Sequence, residues 1–545
     1  MKEALPFRRF VTSFHSLQLP HRFTDCLVIG SGAAGLRAAL EAARSCRVTL
    51  LAKGTLEKSN TALAQGGIAA SLSSSDSLEK HLEDTLQAGA GLAEEEVGRF
   101  IIEMGPGAIH DLEEMGASFD RHGEEIALTR EGGHTEARVV HAHGDSTGRE
   151  LSSVLGRAVK RCDGIRILEE TFVVDLIDSQ GRCSGAIVLS GRTGQLEIIW
   201  SKVTVLATGG AGRIWRETTN PAVATGDGLA IAFRAGAVLR DLEFVQFHPT
   251  TLYLAGAARA LISEAVRGEG AYLRDKSGDR FMTAVHPDAE LAPRDVVSRT
   301  IVERMLDTGD TRVFLDLSHL DPDRVRRRFP GITAHLAAFD IDITSDPIPV
   351  RPSAHYMVGG VSVDLDGRTS IPGLFACGEV ASAGFHGANR LGSNSLLEAL
   401  VLGRRAGVAA ALEAKGQADD FRVREIESKV ENDREVSIDL EDVENSLRSL
   451  MWMSAGVRRD GKGLEAARES LALWTPYVMG SDLRSRRGFE LQNRLTAALL
   501  ITEMALRRDE SRGVHYRTDY PARDDARWAR HQLVHRTPDG APSFA

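Results

Sequence analysis

The chain has 545 residues, a mass of 59.0 kDa, a formal charge of -10 and a pI near 6.0. That length exceeds what one hydrophobic core organises and predicts about three domains of roughly 150 residues each. With 42% hydrophobic and 26% charged residues, extensive disorder is excluded, and the acidic balance argues against a nucleic-acid partner, which would leave a basic footprint.

Glycine is the compositional outlier, 53 residues against 17 prolines. Without a G-X-Y period it is not collagen-like, so backbone close to a ligand is expected. Cys26, Cys46, Cys162, Cys183 and Cys377 form no CxxC pair and no spacing for zinc or an iron–sulfur cluster. A reducing, cytoplasmic setting is expected. No apolar run of about 18 residues suggests a membrane helix, and residues 1 to 23 read as a short surface extension.

In chain order, TDCLVIG (24 to 30) reads as a buried strand, SGAAGLRAALEAARS as an Ala-rich helix and VTLLAK (48 to 53) as a second strand. The small and polar residues 60 to 75 read as a loop able to lie against a ligand, followed by a helix from about Leu78 to Ala88. Between 165 and 208, three β-rich runs predict an antiparallel meander returning to a parallel strand. Strand chemistry then fades from about 243 to 353 and returns with PGLFACGEV (372 to 380), an order explained by an insertion into a nucleotide-binding domain. From about 428, Val443, Leu447, Leu450 and Met451, then Leu491, Leu495, Ala498, Leu499 and Thr502, keep helical spacing and predict a bundle. The expected fold is a Rossmann-like α/β domain interrupted by an α+β cap and followed by a helical bundle. Its expected boundaries are 24–242 and 357–427 for the nucleotide domain, 243–356 for the cap and 428–545 for the helices.

Gly30, Gly32 and Gly35 form GSGAAG between strand and helix. The first permits a tight turn, the second lets a pyrophosphate reach the backbone, and the third lets helix and strand pack closely. Lys53 stands where this dinucleotide fingerprint expects an acid for the ribose, which taken alone would suit a 2′-phosphate and NADP. Asp227 in TGDGLA and Glu379 in ACGEVAS place carboxylates in separate glycine-rich stretches, suited to a longer, polyol-bearing flavin. His248 (FHPT), Arg294 (APRDVVSR), His355 (RPSAHYMVGG) and Arg390 (HGANRLGSNSLLEAL) supply cations and imidazoles. A small dicarboxylate needs about that many partners to leave water.

GSGAAG, NTALAQGGIAA, TGDG, LEFVQFHPT, LISEAVRGEGAYL, LAPRDVVSR, AHYMVGGVSVD, LFACGEVAS and HGANRLGSNSLLEAL follow one another in this chain. In that order they resemble the succinate dehydrogenase and fumarate reductase flavoprotein superfamily, over residues 24 to 410. Three features resemble its branch that oxidises L-aspartate. Asn60 stands near the place of the histidine that links FAD covalently in the dehydrogenases. LTREGGH carries Glu131, matching an acid that meets the substrate's α-amino group. ESRGVHYRTDYP (510 to 521) resembles the superfamily's ending.

The resemblance implies non-covalent FAD held by Ser31, Gly32, Ala33, Ala34, Lys53, the loop Asn60, Thr61, Ala62, Leu63, Ala64, Gln65, Gly66 and Gly67, and by Asp227, Glu379, Ser395 and Leu396. It implies that His248, His355 and Arg390 hold carboxylates, with Gln246, Ser263 and Glu264 around them. Ser263 replaces the family's threonine, and Arg294 matches its proton-transfer arginine, a role that strains the rule that guanidinium stays protonated. The implied reaction takes L-aspartate to iminoaspartate, the proton leaving either from the ammonium or, through Arg294, from Cβ. The acceptor is oxygen or fumarate, and the product's use implies coupling to quinolinate synthase. The alternative is a soluble fumarate reductase or a succinate dehydrogenase-type flavoprotein subunit.

Overall fold

The computed structural model describes residues 7–254, 259–430 and 439–545. The apolar run ending at Ile29 forms the strand His21–Ile29, in parallel register with Val48–Leu51 on one side (Cys26 opposite Val48) and with Leu196–Leu206 on the other (Cys26 opposite Val203). Val48–Leu51 continues in parallel to Ile165–Leu168. The Leu196–Leu206 strand has two partners on its far edge. Its first half pairs antiparallel with Arg182–Ser190, which continues the meander to Thr171–Ser179, and its last residues pair in parallel with Leu374–Ala376. The two distant sequence segments of the nucleotide domain thus meet on one strand.

The helix Ala33–Ala43 follows the first strand directly. It is rich in alanine, which favours helix and leaves little bulk. The long helix Asn394–Lys415 lies against it because Gly403 and Gly407, four residues apart, face Ala34 and Ala38, where any Cβ would meet backbone. That contact brings the Arg390–Leu396 stretch, at the start of the long helix, to the open end of the sheet.

Strand chemistry does not fade after residue 243. Val245–Leu252, Ile348–Met357, Val313–Asp316 and Tyr272–Arg274 form a four-stranded antiparallel sheet in that order. Its strands hide from a periodicity reading because several are short, and because the long ones are buried on both faces and carry proline. Pro249 lies where the ladder jumps from the His248 to the Thr251 pairing, and proline has no N–H to offer a ladder. This region has an apolar core of its own, running from Leu252 through Leu273, Ile301, Leu315 and Phe329 to Val350.

After residue 439 the helices Leu440–Ser454, Gly461–Gly480 and Arg486–Arg507 pack together, but the last is buried on nearly every face, polar Gln492, Asn493 and Thr496 included. The chain ends in strands rather than helix. Leu533–Arg536 pairs antiparallel with Leu239–Arg240 and with Pro542–Phe544. The N-terminal segment is also more than a surface extension from residue 7 onward. Phe7 is 2% exposed with its ring edge-on to Phe233 at 5.2 Å, Val11 is buried, and Phe14–His15 pairs with Glu427–Ser428. Isolated aromatic residues without a repeat give no periodic signal of such burial.

One buried network joins three of these parts. Arg234 donates from Nε to Asp175 Oδ1 at 2.7 Å, from Nη1 to Asn493 Oδ1 at 2.8 Å and from Nη2 to the Val174 carbonyl at 3.0 Å. The other Asp175 oxygen accepts the Val11 N–H at 3.0 Å. The meander strand Thr171–Ser179, the N-terminal segment and the C-terminal helix therefore share one charge pair that water does not reach. Replacing Arg234 by Met leaves the Asp175 carboxylate buried without its cation. The expected loss is about 3–5 kcal/mol of stability, read as a lower urea midpoint than wild type at pH 7.

Candidate active site

The strand-to-helix turn after Ile29 opens a cleft along the carboxyl end of the parallel sheet, as expected for a ligand site on this kind of fold. Gly30 has φ +120°, and a Cβ there would collide with the Ala207 carbonyl, so the turn requires glycine. Gly32 is the N-cap of helix Ala33–Ala43 and no side chain caps it, although Thr61 Oγ1 accepts the Ala33 N–H at 3.0 Å. The remaining first-turn N–H groups are available to a pyrophosphate. Gly30, Ser31, Gly32, Ala33, Ala34, Lys53, Asn60, Thr61, Leu63, Ala64, Asp227, Glu379, Ser395 and Leu396 all line this cleft. Gly35 instead packs beneath Gly30, and Gly67 beneath the Val139–Val140 strand. Ala62 and Gln65 face a second, adjoining cavity, while Gly66 lies near Ser393 and Glu131.

The cleft fits FAD by its chemistry. Asn60 Oδ1 and Thr208 Oγ1 are buried on its wall without a hydrogen-bond partner, as hydroxyls of a polyol chain would require. Asn60 Nδ2 donates to Glu379 Oε2 at 2.7 Å, which fixes the amide in the cleft. The misplaced charge at Lys53 is also explained. Its ammonium donates to Asp227 Oδ2 at 2.7 Å and lies 2.9 Å from Glu490 Oε1, while Asp227 Oδ1 accepts from Asn493 at 2.8 Å. Burial alone would raise the Asp227 pKa, but Lys53 beside it holds the carboxyl below its usual range. The ammonium is thus committed to two carboxylates rather than free for a 2′-phosphate.

The predicted carboxylate-binding residues converge where the cap meets this cleft. Gln246, on the strand Val245–Leu252, accepts through Oε1 from Arg294 Nη1 at 3.1 Å and from Arg390 Nη2 at 2.9 Å. Its Nε2 donates to Asn389 Oδ1 at 2.8 Å and to the Arg390 carbonyl at 2.7 Å, so the amide cannot flip. Arg294, at the start of helix Arg294–Thr308, also donates from Nε to Glu264 Oε2 at 2.5 Å, and Arg267 Nη2 lies 3.4 Å from Glu264 Oε1. Burial would raise Glu264, but Arg294 and Arg267 hold it ionised below its usual range. Arg390 has no carboxylate partner among the described residues. Burial, then repulsion by Arg294, brings its pKa down to about 10.

His248 and His355 face each other with ring centres 5.1 Å apart. Burial, reinforced by nearby guanidiniums, pushes both well below 6.5, so both rings are neutral at pH 7. His248 Nδ1 accepts the Thr250 N–H at 3.3 Å, which leaves the proton on Nε2, free to donate to a carboxylate. His355 Nδ1 is 2.9 Å from Thr219 Oγ1. Ser263 caps the helix Glu264–Gly268 by accepting the Ala265 N–H at 3.3 Å.

Glu131 completes the group. Its Oε2 accepts from Ser393 Oγ at 2.9 Å, while Oε1 is buried without a hydrogen bond, His141 Nε2 lying 3.8 Å away. Burial and then the Glu264 charge raise its pKa. A Cβ placed on Gly392 would lie 3.2 Å from Arg294 Nη2, from Glu131 Oε2 and from Glu264 Oε2 alike, so the three side chains meet around that glycine. Several contributors escaped the sequence reading. The Tyr356 ring lies 4.8 Å below the Arg390 guanidinium, and its hydroxyl donates to Glu398 Oε2 at 3.0 Å. His134 bonds the Gly392 carbonyl at 3.0 Å, and Arg138 bonds its other nitrogen at 3.1 Å. Tyr356 and His134 sit inside AHYMVGG and LTREGGH, so closeness in sequence to His355 and Glu131 was the available signal.

Residues 25–396 match the family model described as FAD binding domain, and residues 444–544 the one described as fumarate reductase flavoprotein C-term. The FrdA chain of E. coli quinol fumarate reductase, in a substituted form, shares the fold with a TM-score of 0.89, 31% identity and 97% of each chain covered. Cleft, cap and C-terminal helices are therefore those of an FAD flavoprotein of the succinate dehydrogenase and fumarate reductase type. The chain is 41% identical to the L-aspartate oxidase of Nostoc sp., over 97% of this chain and 96% of that one. It is 43% identical to that of Streptomyces coelicolor, over 94% and 92%. This chain belongs to the L-aspartate oxidase family.

Because the buried rings of His248 and His355 are neutral, their NMR signals in isotope-labelled holoenzyme should keep neutral-form shifts from pH 8 down to about pH 5.5. A titration of either ring near 6.5 would contradict this assignment.

Proposed function

We propose that the chain oxidises L-aspartate to iminoaspartate, the first step of de novo NAD biosynthesis through quinolinate, with oxygen (giving hydrogen peroxide) or fumarate as the electron acceptor. Bound FAD supplies the two-electron acceptor for the substrate. The chain's own part is placement and electrostatics. The observation that carries the reading is a buried carboxylate, Glu131, whose Oε1 accepts no hydrogen bond and which meets the Arg294 guanidinium around Gly392, with Arg390 held beside Arg294 on the shared Gln246 oxygen.

Arg390, with His248 Nε2 and His355 beside it, receives the carboxylates. Two clamped carboxylates fix the Cα–H in one orientation, which supplies much of the rate. The orphan oxygen of Glu131 receives the α-ammonium, a charge-assisted bond that a fumarate-only site would not need. Its raised pKa suits it to take the ammonium proton as the C=N bond forms, so that aspartate gives up two electrons and two protons in all. Arg294, ion-paired to Glu264, supports the second carboxylate and remains the candidate for proton transfer at Cβ when fumarate is reduced. The cap, residues 243 to 356, closes over the site and excludes water. FAD is held without a covalent bond, since the Asn60 amide is no nucleophile. No described helix is long and apolar enough to cross a membrane, and the five cysteines are free, which supports a reducing, cytoplasmic setting.

Three outcomes test the reading. Adding L-aspartate to the aerobic holoenzyme releases peroxide, whereas D-aspartate, L-glutamate and succinate do not; silence with L-aspartate in both oxygen and fumarate assays rejects the function. Glu131→Gln keeps the shape but loses the charge, and should cut kcat/KM for L-aspartate at least about tenfold, the loss of one charge-assisted hydrogen bond. Fumarate reduction should fall far less, and equal losses would sink the ammonium assignment. Acid precipitation of the yellow protein should leave FAD in the supernatant, and colour retained on the pellet would contradict non-covalent binding.

A further inference from the structure

Beside the flavin cleft lies a second cavity with a free volume of about 1010 Å³. The two share Leu63, Ala64, Thr219, Asn220 and Leu261 as a common wall. That wall reaches the chemistry directly, because Thr219 Oγ1 is 2.9 Å from His355 Nδ1 and Asn220 Nδ2 donates to the His355 carbonyl at 2.9 Å. Arg149, Arg213, Arg216, Arg259 and Arg448 line the cavity, against only Asp145 and Glu217.

The two acids are already committed. Glu217 pairs with Arg216 at 3.1 Å and with Arg259 at 2.5 Å. Asp145 accepts the Gly331 and Ile332 N–H groups at 3.2 and 2.8 Å. Behind the wall, Glu444 pairs with Arg494 at 2.5 Å and lies 3.5 Å from Arg487. Among the described residues, Arg149, Arg213 and Arg448 have no carboxylate within ion-pair distance, and the Arg213 guanidinium donates no hydrogen bond. Arg448 spends one N–H on the Arg216 carbonyl at 3.2 Å. Burial draws both Arg213 and Arg448 below the usual guanidinium range; at Arg213 repulsion by Arg448 and Arg494 adds to it, while at Arg448 the attraction of Glu444 opposes it. Three cations with no ion-pair partner among the described residues, Arg149 exposed at the rim and Arg213 and Arg448 half-buried, line one open cavity in a chain of net charge -10 and together attract a visiting anion.

We propose that this cavity is an antechamber for carboxylate anions: it collects dicarboxylates electrostatically and passes them along the Thr219–Asn220 wall to the His355 side of the active site. The proposal deepens the functional reading above and rests on it for the identity of that site. It carries a specificity consequence. Fumarate and malonate enter with two negative charges, whereas L-aspartate, with its ammonium, carries one, so the antechamber favours the acceptor over the amino acid.

The test is the association rate of malonate with oxidised holoenzyme, followed by stopped-flow flavin absorbance. Malonate is a dianion with no pair of adjacent C–H bonds to oxidise, so its binding is read without turnover. Arg213→Gln should slow malonate association about fivefold at about 0.02 M ionic strength, slow L-aspartate about twofold, and match wild type above about 0.5 M, where charges are screened. Arg213→Lys should restore the wild-type rate, and kcat should be unchanged in both. Unchanged malonate association in Arg213→Gln overturns the proposal, as does a loss that persists at high salt. Should that variant fail to hold FAD, Arg149→Gln, on the exposed rim, must show the same salt-dependent slowing or the antechamber is rejected. A chain that turns over no aspartate but shows the malonate effect would fail the functional reading alone.

Discussion

Arg294 and Arg390 share one amide oxygen of Gln246 inside the protein, and much of the surrounding structure follows from keeping two like charges there. Bringing guanidiniums out of water is costly unless each is paired or hydrogen-bonded. Arg294 is satisfied by Glu264. Arg390 is satisfied only in part, by Gln246, Ser395 and the face of Tyr356. The remaining charge is what the proposed function assigns to an anionic substrate group, and two imidazoles that burial holds toward the neutral form stand beside it without adding to the repulsion.

This arrangement needs pieces from distant parts of the chain to be held rigidly. Gln246 and His248 come from a cap strand with an irregular ladder, His355 from the strand paired with it, and Arg390 from the turn that opens the helix Asn394–Lys415. That helix is placed by the glycine-mediated contact with Ala33–Ala43, the same helix whose N-terminus faces the cofactor cleft. Cofactor and substrate sites are therefore tied through one helix pair. The C-terminal helix Arg486–Arg507 adds a second tie, since Glu490 and Asn493 hold the Lys53–Asp227 pair that forms part of the cleft.

The nucleotide-binding unit was the most legible part of the fold, because GSGAAG between an apolar run and an alanine-rich segment carries both its turn chemistry and its periodicity locally. The meander between 165 and 208 was legible for the same reason. The cap sheet was not, since buried strands broken by proline show neither alternation nor helical spacing. The docked N-terminal segment and the closing C-terminal strands were missed because single aromatics and short edge pairings are specified by partners hundreds of residues away. In the site, His248, Arg294, His355 and Arg390 stood out as chemistry-bearing groups inside glycine- and proline-containing motifs. Tyr356 and His134 did not, because their roles are to hold a neighbour.

Local sequence was sufficient for the cofactor class, for the chemical kind of substrate and for the main α/β unit, since each rests on short-range turn geometry or on side-chain types. Which carboxylates Lys53 meets in the cofactor cleft, that burial pushes both histidines toward the neutral form, and that Glu131 keeps an oxygen without a hydrogen bond were decided only in three dimensions. Charge state and hydrogen-bond satisfaction depend on burial and on the distance to groups remote in sequence. The same holds for the arginine-lined cavity. Arg149, Arg213 and Arg448 are ordinary surface candidates along the chain, and only the packing of cap, flavin loop and C-terminal helix sets them around one space with no described carboxylate in ion-pair contact.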